Sequence, residues 1–181
     1  MLGGVHPAQR WLLWLNLLGG AAVLGSYAWG LAAHPATRGQ LWGGVPESLR
    51  PLYTGSMLLA AVGYFAFSYF VFFRLDPNRD GVGRFGFGVF HALYALILLP
   101  SALWLPLTFA MLDAPSAALW VGIRTVLALV ALGSLGLVAA LAVASPVEAP
   151  VARAIALAGA LAFSLQTALL DALVWPAYFP R

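Results

Sequence analysis

The chain has no cysteine and no lysine, and charged residues of either sign make up only 8% of its 181 positions. Without cysteine there is no disulfide, no thiolate metal site and no sulfur nucleophile. The scarcity of charge excludes more. A soluble domain carries about 25% charged residues because water must solvate its surface, and this chain cannot cover such a surface. What it has instead is apolar: 62% hydrophobic residues and a mean hydropathy of +0.91. Lipid is the solvent that this composition calls for, and the length suits one domain. The isoelectric point of 9.7 does not make a nucleic-acid binder, because the 9 basic residues, all arginine, are scattered over short loops and form no basic face. They fit better as the positive loops that orient a membrane protein. The exclusive use of arginine reads as GC-rich bacterial coding.

A helix needs about 20 apolar residues to cross the hydrocarbon core. Five stretches are long enough, at about 11–33, 52–73, 85–111, 117–144 and 151–175. They predict an all-α, polytopic membrane protein: a five-transmembrane-helix bundle forming a single domain over 1–181. The connectors have their own chemistry. Three prolines and three glycines between His34 and Pro51 stop any helix there. Asp76 to Gly81 is a tight polar turn, and Ser116 is a candidate N-cap for the fourth helix. Ser145-Pro146 and Pro150 bracket the fourth loop. The first stretch has the outline of a signal peptide, but its apolar run exceeds the roughly 7 to 15 residues of such a segment, so it reads as a true span. Arg10, Arg74, Arg79, Arg84 and Arg153 fall on one side, against Arg38, Arg50 and Arg181 on the other. That imbalance predicts a cytoplasmic N-terminus.

Polar groups inside lipid are costly and need a partner or a purpose. Arg124 enters the fourth helix from the third loop, and Asp171 lies near the end of the fifth helix on the same side. At about 1.5 Å per residue both sit roughly 5 to 10 Å below one surface, which predicts an ion pair. That pair either pins two helices together or belongs to a binding site, and the alternative to the pair is an Arg124 that snorkels alone to the surface. Ser101, Trp104 and Thr108 follow one another at helical spacing on the third span. Pro100 and Pro106 remove backbone donors beside them and predict a kink. Together with Trp42 in the long first loop, these groups sketch a concave site. Trp11, Trp14, Trp120 and Trp175 read as an interfacial belt, whereas Trp104 lies deeper.

Other signals are weaker. His91 has no second histidine at matching depth for a two-histidine haem, so it reads as structural. Asp76-x-Asn78-x-Asp80-Gly81 begins like a calcium loop, but its twelfth position is Phe87 where a bidentate glutamate is required. No hydrolase triad, zinc spacing or phosphate-cradling loop is visible, and Asp171 is the one acid clearly inside a span.

Several segments resemble the TspO/translocator protein family, the tryptophan-rich sensory proteins. The third span reads Ser101-Ala102-Leu103-Trp104-Leu105-Pro106-Leu107-Thr108-Phe109, which is similar to the family's N-x-x-W followed by proline and paired Phe. Ser101 replaces the asparagine, and Thr108 replaces one Phe. The fifth span ends Leu170-Asp171-Ala172-Leu173-Val174-Trp175, similar to L-N-x-x-x-W, with Phe163 where the family has tryptophan. Leu52-Tyr53, Gly63-Tyr64 and Ser68-Tyr69 resemble its second helix at stretched spacing. Its tryptophan- and proline-rich first loop is reduced to Trp42 and Pro46.

The resemblance implies a five-helix bundle enclosing a flat or rigid hydrophobic ligand, tetrapyrrole or sterol-like, beneath the first loop. Trp42, Ser101, Trp104, Phe109, Arg124, Phe163 and Asp171 are the expected ligand-binding residues, with Asp171 as polar anchor and Arg124 as its partner or as contact for a ligand carboxylate. No cofactor is required; porphyrin or haem enters only as ligand. Expected partners are membrane lipids, the ligand and a second copy of the chain, and no nucleic acid. Two rival readings stay open: an accessory subunit of a larger membrane complex, and a membrane enzyme acting on a lipid or porphyrin through Asp171.

Overall fold

The structure, a computed structural model, describes residues 6–145 and 149–179; Pro146 and Arg181 lie outside them. Five helices are long and apolar enough to cross a membrane. They are α1 (Pro7–Ala33), α2 (Arg50–Phe73), α3 (Gly88–Asp113), α4 (Ala117–Val143) and a fifth span, Pro150–Tyr178. That last span is built in three pieces: α5 (Pro150–Ser164), a π-helical segment (Leu165–Val174) and a final turn, α6 (Trp175–Tyr178). The described residues are all-helical apart from loops and one isolated bridge between Gly81 and Ser145.

Helix ends explain where the observed bounds differ from the apolar stretches. α1 begins four residues before Trp11 because Pro7 is preset for the first helical position and His6 Nδ1 accepts from the Ala8 N–H at 3.1 Å. Its polar first turn is useful there. Gln9 Nε2 donates to the Phe72 and Leu75 carbonyls at 3.0 and 3.1 Å, filling acceptors that the end of α2 leaves open. Ser116 Oγ caps α4 by accepting from the Leu119 N–H at 3.2 Å. The far end of α4 is capped from the next helix: Arg153 Nε donates to the Leu141 carbonyl at 2.9 Å, and its Nη2 donates to that of Ala142. α3 carries Pro100 and Pro106 inside a continuous helix.

The packing order makes an open ring. α1 lies on α3, α3 on α4, α4 on the fifth span, and the fifth span on α2. α1 and α2 are therefore the ring's two ends. The α2–α5 crossing is a backbone-to-backbone approach, since a Cβ on Gly63 would sit 2.3 Å from the Gly159 carbonyl oxygen; small residues allow such contacts where lipid gives helices no hydrophobic drive to associate. At the loop-2 end, α1 and α2 are joined by Gln9 and by a 2.5 Å hydrogen bond from Tyr64 Oη to Asn16 Oδ1. At the loop-1 end the connector 34–49 folds over the gap.

Candidate functional site

Between these two closures lies a cavity of about 1310 Å³, above the roughly 300 to 1,000 Å³ of common small-molecule pockets. Its wall comes from α1, α2, α3 and the fifth span, with Leu127 and Val130 of α4 and the first loop above. The loop is held down by two bonds to the end of the fifth span. Trp175 Nε1 donates to the Leu41 carbonyl at 2.8 Å, and the Gly44 N–H donates to that of Tyr178 at 2.7 Å. Gly43 is in the left-handed region (φ 57°), and a Cβ there would meet Phe179 Cα at 3.0 Å. The turn needs glycine on both counts.

Trp42 ends the 3₁₀ turn Arg38–Trp42 and meets Tyr53 edge-on, ring centroids 6.2 Å apart. Below it Trp104 stands between Tyr27 (6.0 Å) and Trp175 (5.7 Å). Ser101, one turn away on α3, returns its hydroxyl to the Ile97 carbonyl at 2.6 Å, a local bond of the kind serine makes inside helices. Phe163 packs against Tyr64 and Phe67. Trp42, Ser101, Trp104, Phe163 and Asp171 all line the one cavity.

The π-helical segment decides which polar groups face it. In an α-helix, at about 100° per residue, residues five apart end up about 140° apart around the axis. In a π-helix the fifth residue returns above the first, because its hydrogen bonds run from i to i+5. Gln166 and Asp171 are five apart, and Gln166 Nε2 donates to Asp171 Oδ1 at 2.7 Å. Thr167 is on the cavity as well, its hydroxyl 2.9 Å from both Ser134 Oγ and the Phe163 carbonyl, with one proton to donate to either. Gln166, 4% exposed, leaves its Oε1 without a partner, as Trp104 leaves its Nε1.

Three sequence expectations need correction. The Arg124–Asp171 ion pair does not form among the described residues. The buried stripe of α4 runs through Ile123, Val126, Leu127 and Val130, and Arg124 falls on its exposed flank. Equal depth brought the two residues to one level but not to one face. Phe109 is not on the cavity. Five residues beyond Trp104 it faces the end of α1, where it stacks on His34 at 4.1 Å and 9°. His34 in turn contacts the Gly30 carbonyl (3.0 Å) and Asp113 (3.6 Å). Trp175 is no belt residue either: it is 5% exposed and ties down the loop. Trp11 and Trp14 are exposed on α1. His91 Nε2 meets the Ala8 carbonyl at 2.9 Å, a structural bond between α3 and α1. The start of the calcium-like loop is closed by its own bonds, with Asp80 accepting from the Asp76 N–H and Asp76 from that of Asn78.

Sequence reasoning overlooked Tyr27, Tyr53, Gln166 and Thr167. The last two carried a readable signal, adjacent polar residues within an apolar span. No family model, curated protein or solved structure matches the chain.

Proposed function

We propose that this integral membrane protein binds a hydrophobic ligand, tetrapyrrole or sterol-like in its rigidity, inside the bundle and beneath the first loop, as a receptor or carrier of the TspO-like kind. The observation that carries this reading is a large apolar cavity walled by aromatic side chains, with the Asp171 side chain on its lining. A buried donor or acceptor left unsatisfied costs about 1 to 3 kcal/mol. The Trp104 N–H and the Gln166 carbonyl, on two residues of the lining, are such groups, and a ligand recovers that cost where their side chains turn into the cavity as it binds. Aromatic faces also favour flat partners. Access runs through the bilayer, because α1 and α2 are unpaired neighbours in the ring and exposed Leu17, Leu24, Met57 and Phe65 line the gap between them. On this reading the N-terminus is cytoplasmic and the first loop external.

The test uses purified protein in lipid nanodiscs, titrated separately with protoporphyrin and a fluorescent sterol while tryptophan emission is followed. Saturable quenching by either is expected. Gly20→Phe is the control, because Gly20 lines the cavity and a Cβ added there meets nothing within 4 Å, so the ring enters the empty volume. Quenching that persists unchanged in Gly20→Phe places the ligand elsewhere and removes the proposal.

A further inference from the structure

The polar end of the cavity is more selective than its apolar walls. Asp171 lies within the span with Gln166 as its side-chain hydrogen-bond partner and no cation within 4.0 Å among the described residues. Tyr27, Trp42, Tyr53, Trp104 and Trp175 line the same cavity, and Tyr53 Oη donates to the carbonyl of Leu170, the residue before Asp171, at 3.4 Å. The nearby cations serve the water side. Arg38 sits exposed on the rim, and Arg50 lies over the Trp42 ring at 5.8 Å and 3.5 Å from Glu47.

A carboxylate with no cation beside it and a set of electron-rich rings on one cavity form one kind of receptor. Ring faces attract cations, most strongly where water is excluded. An intramembrane acid calls for a counter-charge. We infer that the ligand is a hydrophobic amine bound as its ammonium, whose N–H donates to the Asp171 carboxylate while the rings surround its alkyl substituents. The inference rests on the cavity-binding reading and narrows it: the recognised head is cationic, and a ligand carboxylate, which Arg124 was expected to receive, finds no cation in the interior.

Three probes on one scaffold test this in zwitterionic nanodiscs, with empty discs subtracting partition into lipid. They are a biphenyl bearing a dimethylaminomethyl group, its neutral isobutyl isostere, and the corresponding acetate. A hydrogen bond to a charged group is worth about 1.5 to 3 kcal/mol, so the amine should bind about tenfold or more tighter than the isobutyl compound. Asp171→Asn should abolish that preference. The wild-type ratio decides even if a variant fails to fold. Equal binding of amine and isostere, both lost in Gly20→Phe, overturns the amine and leaves the cavity reading standing. Tightest binding by the acetate overturns it in favour of an anion held at Arg38. Failure of all three probes to saturate removes both readings.

Discussion

The two ends of the bundle use the same residue types for opposite purposes. Toward loop 2, Leu12, Phe67, Phe70, Phe90, Tyr94, Leu137 and Leu141 form a closed core, and the polar groups within it are matched: Ser68 with Tyr94 at 2.9 Å, Tyr64 with Asn16, His91 with Ala8. Toward loop 1, Tyr53, Met111, Ile123, Trp175 and Phe179 cluster beneath the loop, but Trp104 Nε1, Gln166 Oε1 and Arg50 Nε have no partners. The loop-2 end holds the larger closed core, although the cavity lining reaches Asn16, Tyr64, Ser68 and Phe72 and the mid-span Ser164 Oγ is also unpartnered. The loop-1 end carries the remaining unpartnered atoms. The lesson is a division of labour along the membrane normal, in which the closed end holds the helices and the open end is free to be imperfect. Substitutions should therefore separate stability from binding according to depth.

The largest effect is expected at the glycine crossing. Gly63→Leu forces a side chain against the Gly159 carbonyl, where a Cβ alone already stands at 2.3 Å. The obstacle is backbone and cannot swing aside, so α2 and α5 must part. Overpacking costs about 1 to 3 kcal/mol and occasionally more, and here it should abolish a monodisperse, folded protein in size-exclusion chromatography. A variant that elutes and melts like the wild type would show that this contact does not hold the ring together.

Next is the closed core itself. Phe90 is fully buried, and Phe90→Ala should lose about 3 to 5 kcal/mol, the usual cost of deleting a packed aromatic ring. Denaturant titration in mixed micelles measures this, and binding by the protein that remains folded should be unchanged. Trp104→Phe is the matching change at the open end, with the opposite pattern. It removes an unsatisfied N–H, which favours the variant by about 1 to 3 kcal/mol, and loses the packing of the larger ring, which opposes it, so net stability should move by less than about 1 kcal/mol, while ligand affinity falls. A large loss of stability in Trp104→Phe would erase the distinction between the ends.

How far this division could be read from the chain depends on what each signal measures. Apolar length is a property of the sequence alone, so the five spans and their order were legible, as was Ser116 as a cap. Depth was legible too, because rise per residue is constant: Arg124 and Asp171 do stand toward the same end. Facing was not. Helical phase is relative to neighbours that the chain does not name, so Arg124 and Phe109 were assigned to a cavity from which their angles exclude them. The π-helical segment was least visible, having no proline or glycine to announce it between Leu165 and Val174. It brings Gln166 onto the face of Asp171, a pairing that a regular helix forbids. The unpartnered atoms of the site are a tertiary property and have no sequence signature.

The smallest expected effect probes whether the ends communicate. Arg153 caps α4 from the next helix through the Leu141 and Ala142 carbonyls, at the loop-2 end and far along the chain from the cavity's polar groups. Arg153→Met keeps an apolar stem and removes both donors. Water reaches that surface and takes over the carbonyls, so the loss should be about 0.5 to 1.5 kcal/mol. Hydrogen exchange should show it as faster exchange of the Ala144 and Ser145 amides, which now bond to the Ala140 and Gly81 carbonyls, while probe affinity in nanodiscs stays within error of the wild type. An affinity that falls together with the cap would mean that the closed end sets the width of the open one, and the bundle would then have to be treated as a single coupled unit.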